Sequence, residues 1–305
     1  MPNRNPTMFT GLSAFPLTPL RHDELDEPAF IGLVERLVAA GVDSITALGS
    51  TGSYAYLDRD ERARVARSAV AHAGDVPVFV GIGATRTSQV LAHAEAAQEA
   101  GAAALLLAPV SYQPLTEDDV FELFRTVTSH SSVPVIAYDN PGTTRFTFTT
   151  ELYARIAALE GIASIKIPGV PSDPEAARAH VQQIRAALPP GVTIGVSGDA
   201  HAAEGLLAGC DAWYSVIAGT LPEAALRIVR TVRQGSPDQA RAESQRLAPL
   251  WELFARHGGS IRVMAAVAEE LGLAQESSLP LPLLGLTEDQ RAEVARVIRG
   301  LDVEQ

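Results

Sequence analysis

The chain contains one cysteine, Cys210, so no internal disulfide can form. Low cysteine content also suits a reducing compartment, which points to the cytoplasm. Positive charge is scarce as well: 24 Lys and Arg stand against 36 Asp and Glu, a formal net charge of -12. No basic run offsets that balance, so nucleic acid and anionic membranes are not expected partners. The opening residues, MPNRNPTMFTGLSAFPLTP, hold no continuous apolar segment of the kind an export signal needs. The longest apolar run, AGAAALLLAPV, is too short to span a bilayer. Seven histidines occur without HxH or HExxH spacing, so no metal site is expected. GIGATR at 81–86 lacks the full glycine spacing of a dinucleotide site, and GSTG at 49–52 lacks the lysine of a nucleotide-binding P-loop.

What is present is an alternation. Across 305 residues, 47% hydrophobic and 20% charged, short apolar β-rich runs alternate with longer amphipathic ones. Eight strands are predicted, at 12–17, 44–48, 78–82, 103–108, 135–138, 163–167, 193–197 and 213–217. Asp58, Thr116 with Asp119, and Asp173 with Pro174 are helix-start signals, while Gly41 and Gly101 stand where helices should stop. Eight βα units predict a parallel (β/α)8 (TIM) barrel, and an open doubly wound sheet is the competing topology. After the eighth strand, segments beginning near Leu221, Asp238, Ile261 and Thr287 read as helices. The expected organisation is a barrel over 1–235 carrying the active site and a C-terminal helical region over 236–305.

In such a barrel the strand C-termini and the loops after them form the active face. That rule gathers the GSTG loop, 109–113, Tyr138, Lys166 and the SGD turn at 197–199. The glycines of GSTG let backbone approach a small anion closely, although a plain polar turn would read the same way. Lys166 lies in SIKIPG, an apolar strand, where an ammonium is expensive unless paired or functional. Desolvation lowers the pKa of such an amine and makes it a Schiff-base nucleophile. The competing reading pairs it with Asp139 or Asp199. Tyr138 ends its strand where a phenol could pass protons to the amine's adduct, or could simply be a core tyrosine.

Together these residues resemble the dihydrodipicolinate synthase and N-acetylneuraminate lyase family of class I pyruvate-dependent lyases and aldolases. The likeness runs from about residue 15 through the C-terminal helices. It rests on FPLTP, the GSTG loop, the Tyr138-Asp139-Asn140-Pro141 corner, Lys166 lying 28 residues after Tyr138, and SGD at Ser197. The resemblance implies that Lys166 forms an imine with a 2-oxo acid such as pyruvate and that Tyr138 gives and takes protons. It also implies that Gly49, Ser50 and Thr51 hold the carboxylate, with Ser50 in a proton relay. No cofactor beyond the covalent imine is implied. Family relatives use the loop after the fourth strand across a symmetric interface, which implies a homotetramer built from dimers.

Several positions depart from the family pattern. Thr143 stands where an arginine usually meets the second substrate's carboxylate, and Arg145 follows two residues later. The adjacent tyrosines of the fourth loop align with Val110 and Ser111, leaving Tyr112 one position along as the relay candidate. Ser53 replaces a frequent glutamate, and Tyr214 replaces an isoleucine near the eighth strand's end; Gly198 and Tyr214 join the expected binding residues. These changes point to a 2-oxo acid aldolase or lyase acting with an uncharged or sugar-derived aldehyde, and to poor condensation with aspartate semialdehyde. Dihydrodipicolinate synthase proper, a sugar-acid dehydratase using the same imine, and a catalytically silent 2-oxo acid binding protein remain as alternatives.

Overall fold

The structure, a computed structural model, describes residues 6–301. Eight parallel strands close into a barrel: β1 Gly11–Ala14, β2 Ser44–Ala47, β3 Val78–Gly81, β4 Ala104–Leu107, β5 Val135–Tyr138, β6 Ile162–Ile167, β7 Thr193–Val196 and β8 Ala212–Ser215. Each pairs with its sequence neighbour, and Gly11 beside Ala212 closes the ring. The predicted barrel and its strand order therefore hold, and the open sheet does not. Several strands are shorter than predicted, most clearly β1, where Pro16 and Pro19 follow the last ladder residues and cannot donate to a neighbour.

The helices between strands begin where short polar side chains satisfy the first free N–H groups. At the helix Arg59–His72, Asp58 and Glu61 bond each other's backbone reciprocally, and Thr116 and Asp119 do the same for the helix Glu117–His130. Asp173 caps the helix Pro174–Ala187, with proline in its first turn. Gly41 ends the helix Glu27–Ala40 at φ 77°, a left-handed conformation that glycine adopts without strain. Beyond the eighth barrel helix, Pro222–Arg233, come Pro237–Arg246, Ala248–Arg256, Ser260–Glu270 and Glu288–Leu301. Ala248–Arg256 is a separate helix that the sequence pattern had merged with its predecessor. Among the described residues no helix is long and apolar enough to cross a membrane.

Apolar side chains fill two layers. One lies between strands and helices and extends into the C-terminal helices through Leu250, Val263 and Met264. The other fills the barrel interior, where Phe9 stacks on Phe79 with centroids 5.3 Å apart, below Phe15, Tyr138 and Tyr214. The outer layer crosses residue 235 without a break, so the barrel and the C-terminal helices share one core.

Candidate active site

Lys166 is the chain's only lysine. It sits one residue before the end of β6, points into the barrel, and is 2% exposed. Three aromatic rings surround its Nζ: Tyr138 at 3.8 Å to the centroid, Phe15 at 3.9 Å and Tyr214 at 5.7 Å. Both carboxylates proposed as its partner are engaged elsewhere. Asp199 accepts from Trp213 Nε1, Val216 N and Ile217 N, and Asp139 accepts from the Tyr153 hydroxyl at 2.5 Å. Neither reaches ion-pair distance of Lys166, so the ion-pair reading of this lysine fails. Burial pushes the amine down from 10.5 to about 7, against a weaker upward pull from Asp199. The amine is then about half neutral near pH 7.

Tyr138 is paired in register with Lys166 on the adjacent strand, which sets the two side chains side by side on the inner face. Its hydroxyl lies 3.4 Å from Ser50 Oγ, and Asn140 Nδ2 donates to it at 2.7 Å. Asn140 also donates to Ser50 Oγ at 3.3 Å, completing a triangle. Burial raises the phenol well above its usual value, while the Ser50 and Asn140 hydrogen bonds pull it back.

These groups open into a cavity of about 620 Å³ at the C-terminal end of the barrel. Ser50 and Thr51 form one wall, and Thr143, Gly198 and Tyr214 others. Gly49 stands behind that wall: a Cβ there would lie 2.4 Å from the Phe15 ring, so glycine is what lets Phe15 reach the lysine. Tyr214 reaches across the interior and donates to Ser164 Oγ at 2.8 Å, and Gly195 leaves room for its ring.

Two expected residues lie elsewhere. Arg145 is exposed and outside the cavity wall, because its φ of 56° ends the one-turn helix Pro141–Thr144 and turns the side chain away. Tyr112 is 92% exposed and also outside, since its loop runs out over the surface beyond Val110, which does line the cavity. Within one chain it cannot join the Tyr138 relay. Conversely, Asn140 and Arg262 line the cavity without having been anticipated as site residues, and Ser53, at the end of the loop after β2, lines it as expected of that loop. Asn140 was visible as part of a corner motif, but nothing local marks Arg262, which arrives in the first turn of the helix Ser260–Glu270. Its Nε donates to the Leu284 carbonyl at 2.9 Å, and besides Lys166 it is the cavity's one cationic side chain among the described residues. The site therefore extends past residue 235. No cluster of three or more potential metal-ligating His, Cys, Asp or Glu side chains occurs among the described residues.

The arrangement offers a nucleophilic amine, an adjacent phenol held by two hydrogen-bonding groups, and a polar loop able to receive a carboxylate. Comparison with known proteins finds relatives similar to this chain over nearly its whole length. A 4-hydroxy-tetrahydrodipicolinate synthase of Cellvibrio japonicus is 32% identical over 297 residues, covering 96% of this chain and 100% of the relative. A crystal structure of dihydrodipicolinate synthase from Agrobacterium tumefaciens superposes with a TM-score of 0.92 at 42% identity, covering 97% of this chain and 99% of that one. A putative dihydrodipicolinate synthetase from Pseudomonas aeruginosa gives 0.87 at 27%, covering 96% and 99%. The model of the dihydrodipicolinate synthetase family matches residues 8–301, and with the barrel, the buried lysine and its tyrosine in place, the chain belongs to that family.

Proposed function

We propose that this protein is a Schiff-base lyase or aldolase that makes or breaks a carbon–carbon bond between pyruvate, or a similar 2-oxo acid, and an aldehyde. The observation that carries this is Lys166: a sole lysine, buried among aromatic rings with no carboxylate at ion-pair distance among the described residues, its amine brought to about 7 and set beside a phenol. The neutral amine adds to the 2-oxo carbon, water leaves, and the protonated imine withdraws electrons from the neighbouring carbon. Tyr138 is assigned the proton transfers and Ser50 their relay, while Ser50 and Thr51 receive the carboxylate against the Gly49 turn. With the imine as electron sink no metal is required, and activity should survive a chelator. Borohydride added with pyruvate should leave a reduced pyruvyl group on the peptide containing Lys166, and Lys166→Arg should give none. An unlabelled native protein, after trials with several 2-oxo acids, would overturn the reading.

The aldehyde is the open half of the reaction. Thr143 in place of a cation favours an uncharged partner, whereas Arg262 supplies a guanidinium from another wall and favours one carrying a carboxylate. The second reading is the activity named for the Cellvibrio relative, 4-hydroxy-tetrahydrodipicolinate synthase. Specificity constants for aspartate semialdehyde and for uncharged aldehydes, measured side by side, separate the two. We also propose a cytoplasmic homotetramer. The single cysteine fits that compartment, and exposed Tyr56 and Tyr112 on the loops after β2 and β4 fit a subunit contact. Light scattering that gives a monomer at micromolar concentration would count against the assembly.

A further inference from the structure

We infer that Asn140 is a positioning residue for proton transfer: its side-chain amide directs the Tyr138 hydroxyl at the lysine adduct and stabilises the phenolate formed when that proton leaves. This rests on the Schiff-base reading above. Asn140 sits at the start of the one-turn helix Pro141–Thr144, and its carbonyl accepts from Thr143 N at 3.1 Å, Thr144 N at 3.0 Å and Thr144 Oγ1 at 3.0 Å. The backbone is held by those bonds. The side chain does not cap the helix, and instead its Nδ2 faces the Tyr138 oxygen at 2.7 Å and Ser50 Oγ at 3.3 Å.

An amide nitrogen has two hydrogens and no acceptor, so toward both oxygens Asn140 can only donate. Ser50 and Tyr138 lie 3.4 Å apart, and one can donate to the other. With Ser50 donating, the Tyr138 oxygen accepts from two groups and its own proton is free to point into the cavity, where Lys166 lies. The proton balance follows. In the carbinolamine, the Tyr138 O–H bond breaks as its proton passes to the hydroxyl on the former carbonyl carbon. Water departs with the C–O electron pair, and the nitrogen lone pair closes the C=N bond. The phenolate left behind, flanked by the Asn140 N–H and the Ser50 O–H, then takes a proton from the methyl carbon. The enamine forms and Tyr138 is neutral again. Burial opposes a phenolate here, so a donor at 2.7 Å bears directly on both steps. All three groups come from one chain.

The test is deuterium exchange into the pyruvate methyl group in heavy water, followed by NMR, alongside borohydride trapping. Asn140→Asp keeps the shape and the capacity to start a helix but replaces the donor by a carboxylate. It should lower methyl exchange and kcat by about 10- to 100-fold, with thermal stability close to native and the Lys166 adduct still reaching completion. Asn140→Gln, which restores an amide donor, should recover part of the rate. Exchange by Asn140→Asp within about twofold of native overturns the inference. So does loss of the adduct together with exchange in a folded Asn140→Asp, because the residue would then shape the pocket instead of steering a proton. A native protein that forms no adduct at all would defeat the Schiff-base reading itself, a separately visible result.

Discussion

Three aromatic rings stand where a buried ammonium would ordinarily find a carboxylate. Their faces attract a cation weakly, and their bulk excludes water, so the balance at Lys166 is set by lost hydration. The free enzyme should therefore show kcat/KM rising with pH through about 7 as Lys166 loses its proton. Phe15→Leu removes a ring face and should shift that limb, whereas Asn140→Asp should move it less than it lowers the plateau. The same scale decides the aldehyde. Hydrogen bonds from a guanidinium to a carboxylate are worth about 1.5–3 kcal/mol, or roughly ten- to a hundredfold in affinity. Arg262→Ala should lower kcat/KM by that factor for an aldehyde bearing a carboxylate and leave an uncharged one within about threefold. Arg145→Ala should leave both near native, because Arg145 faces solvent. If Arg145→Ala alone abolishes the preference, the assignment of the two arginines is reversed.

The turn after β2 joins the loop of Ser50 and Thr51 to the lysine's surroundings. Leu48 adopts φ 57°, unusual for a branched residue, and its carbonyl passes so close to Gly81 that a Cβ there would lie 1.8 Å away. That bend brings Ser50 and Thr51 over the barrel mouth, and Gly49 lets Phe15 pass beneath them. Gly49→Ala should therefore act on two levels. Overpacking against Phe15 should destabilise the fold by about 1–3 kcal/mol, read by urea denaturation. Displacement of the ring should also move the pH limb assigned to Lys166. A stability loss with an unmoved limb would show that Phe15 does not govern the amine.

For the whole molecule, the buried lysine is a liability that depends on pH. Its folded pKa of about 7 lies below the usual 10.5, so the unfolded chain binds more protons between those values. The stability lost to burying it is full below about pH 7 and is regained as pH rises toward 10.5. Lys166→Met, of similar length, should be more stable than native by about 2–4 kcal/mol at pH 7, with the difference shrinking toward pH 10. Tyr138 and Tyr214 act oppositely. Their raised values keep the folded state protonated where the unfolded chain ionises, so native stability should fall above about pH 10. Denaturation of both proteins between pH 7 and 11 checks the two slopes together. An equal gap at pH 7 and pH 10 would mean that Lys166 is not desolvated.

The alternation of apolar runs and capped helices determined the eight βα units, because strand and helix periods and helix-start side chains are local properties. A single lysine inside an apolar strand likewise announced itself, since no chain buries an ammonium there by default. Ring closure follows from Gly11 meeting Ala212 across about 200 residues, a contact no local pattern encodes. Tertiary structure alone decided what surrounds that lysine. Arg145 stands two residues from Thr143 and nothing local marks Arg262, yet a left-handed φ turns the first to solvent while helix packing brings the second into the cavity. Asn140 meets Ser50 only because β2 and β5 end at the same mouth. Where a side chain points depends on backbone angles and on neighbours distant along the chain, and for this site those were set by the closed barrel.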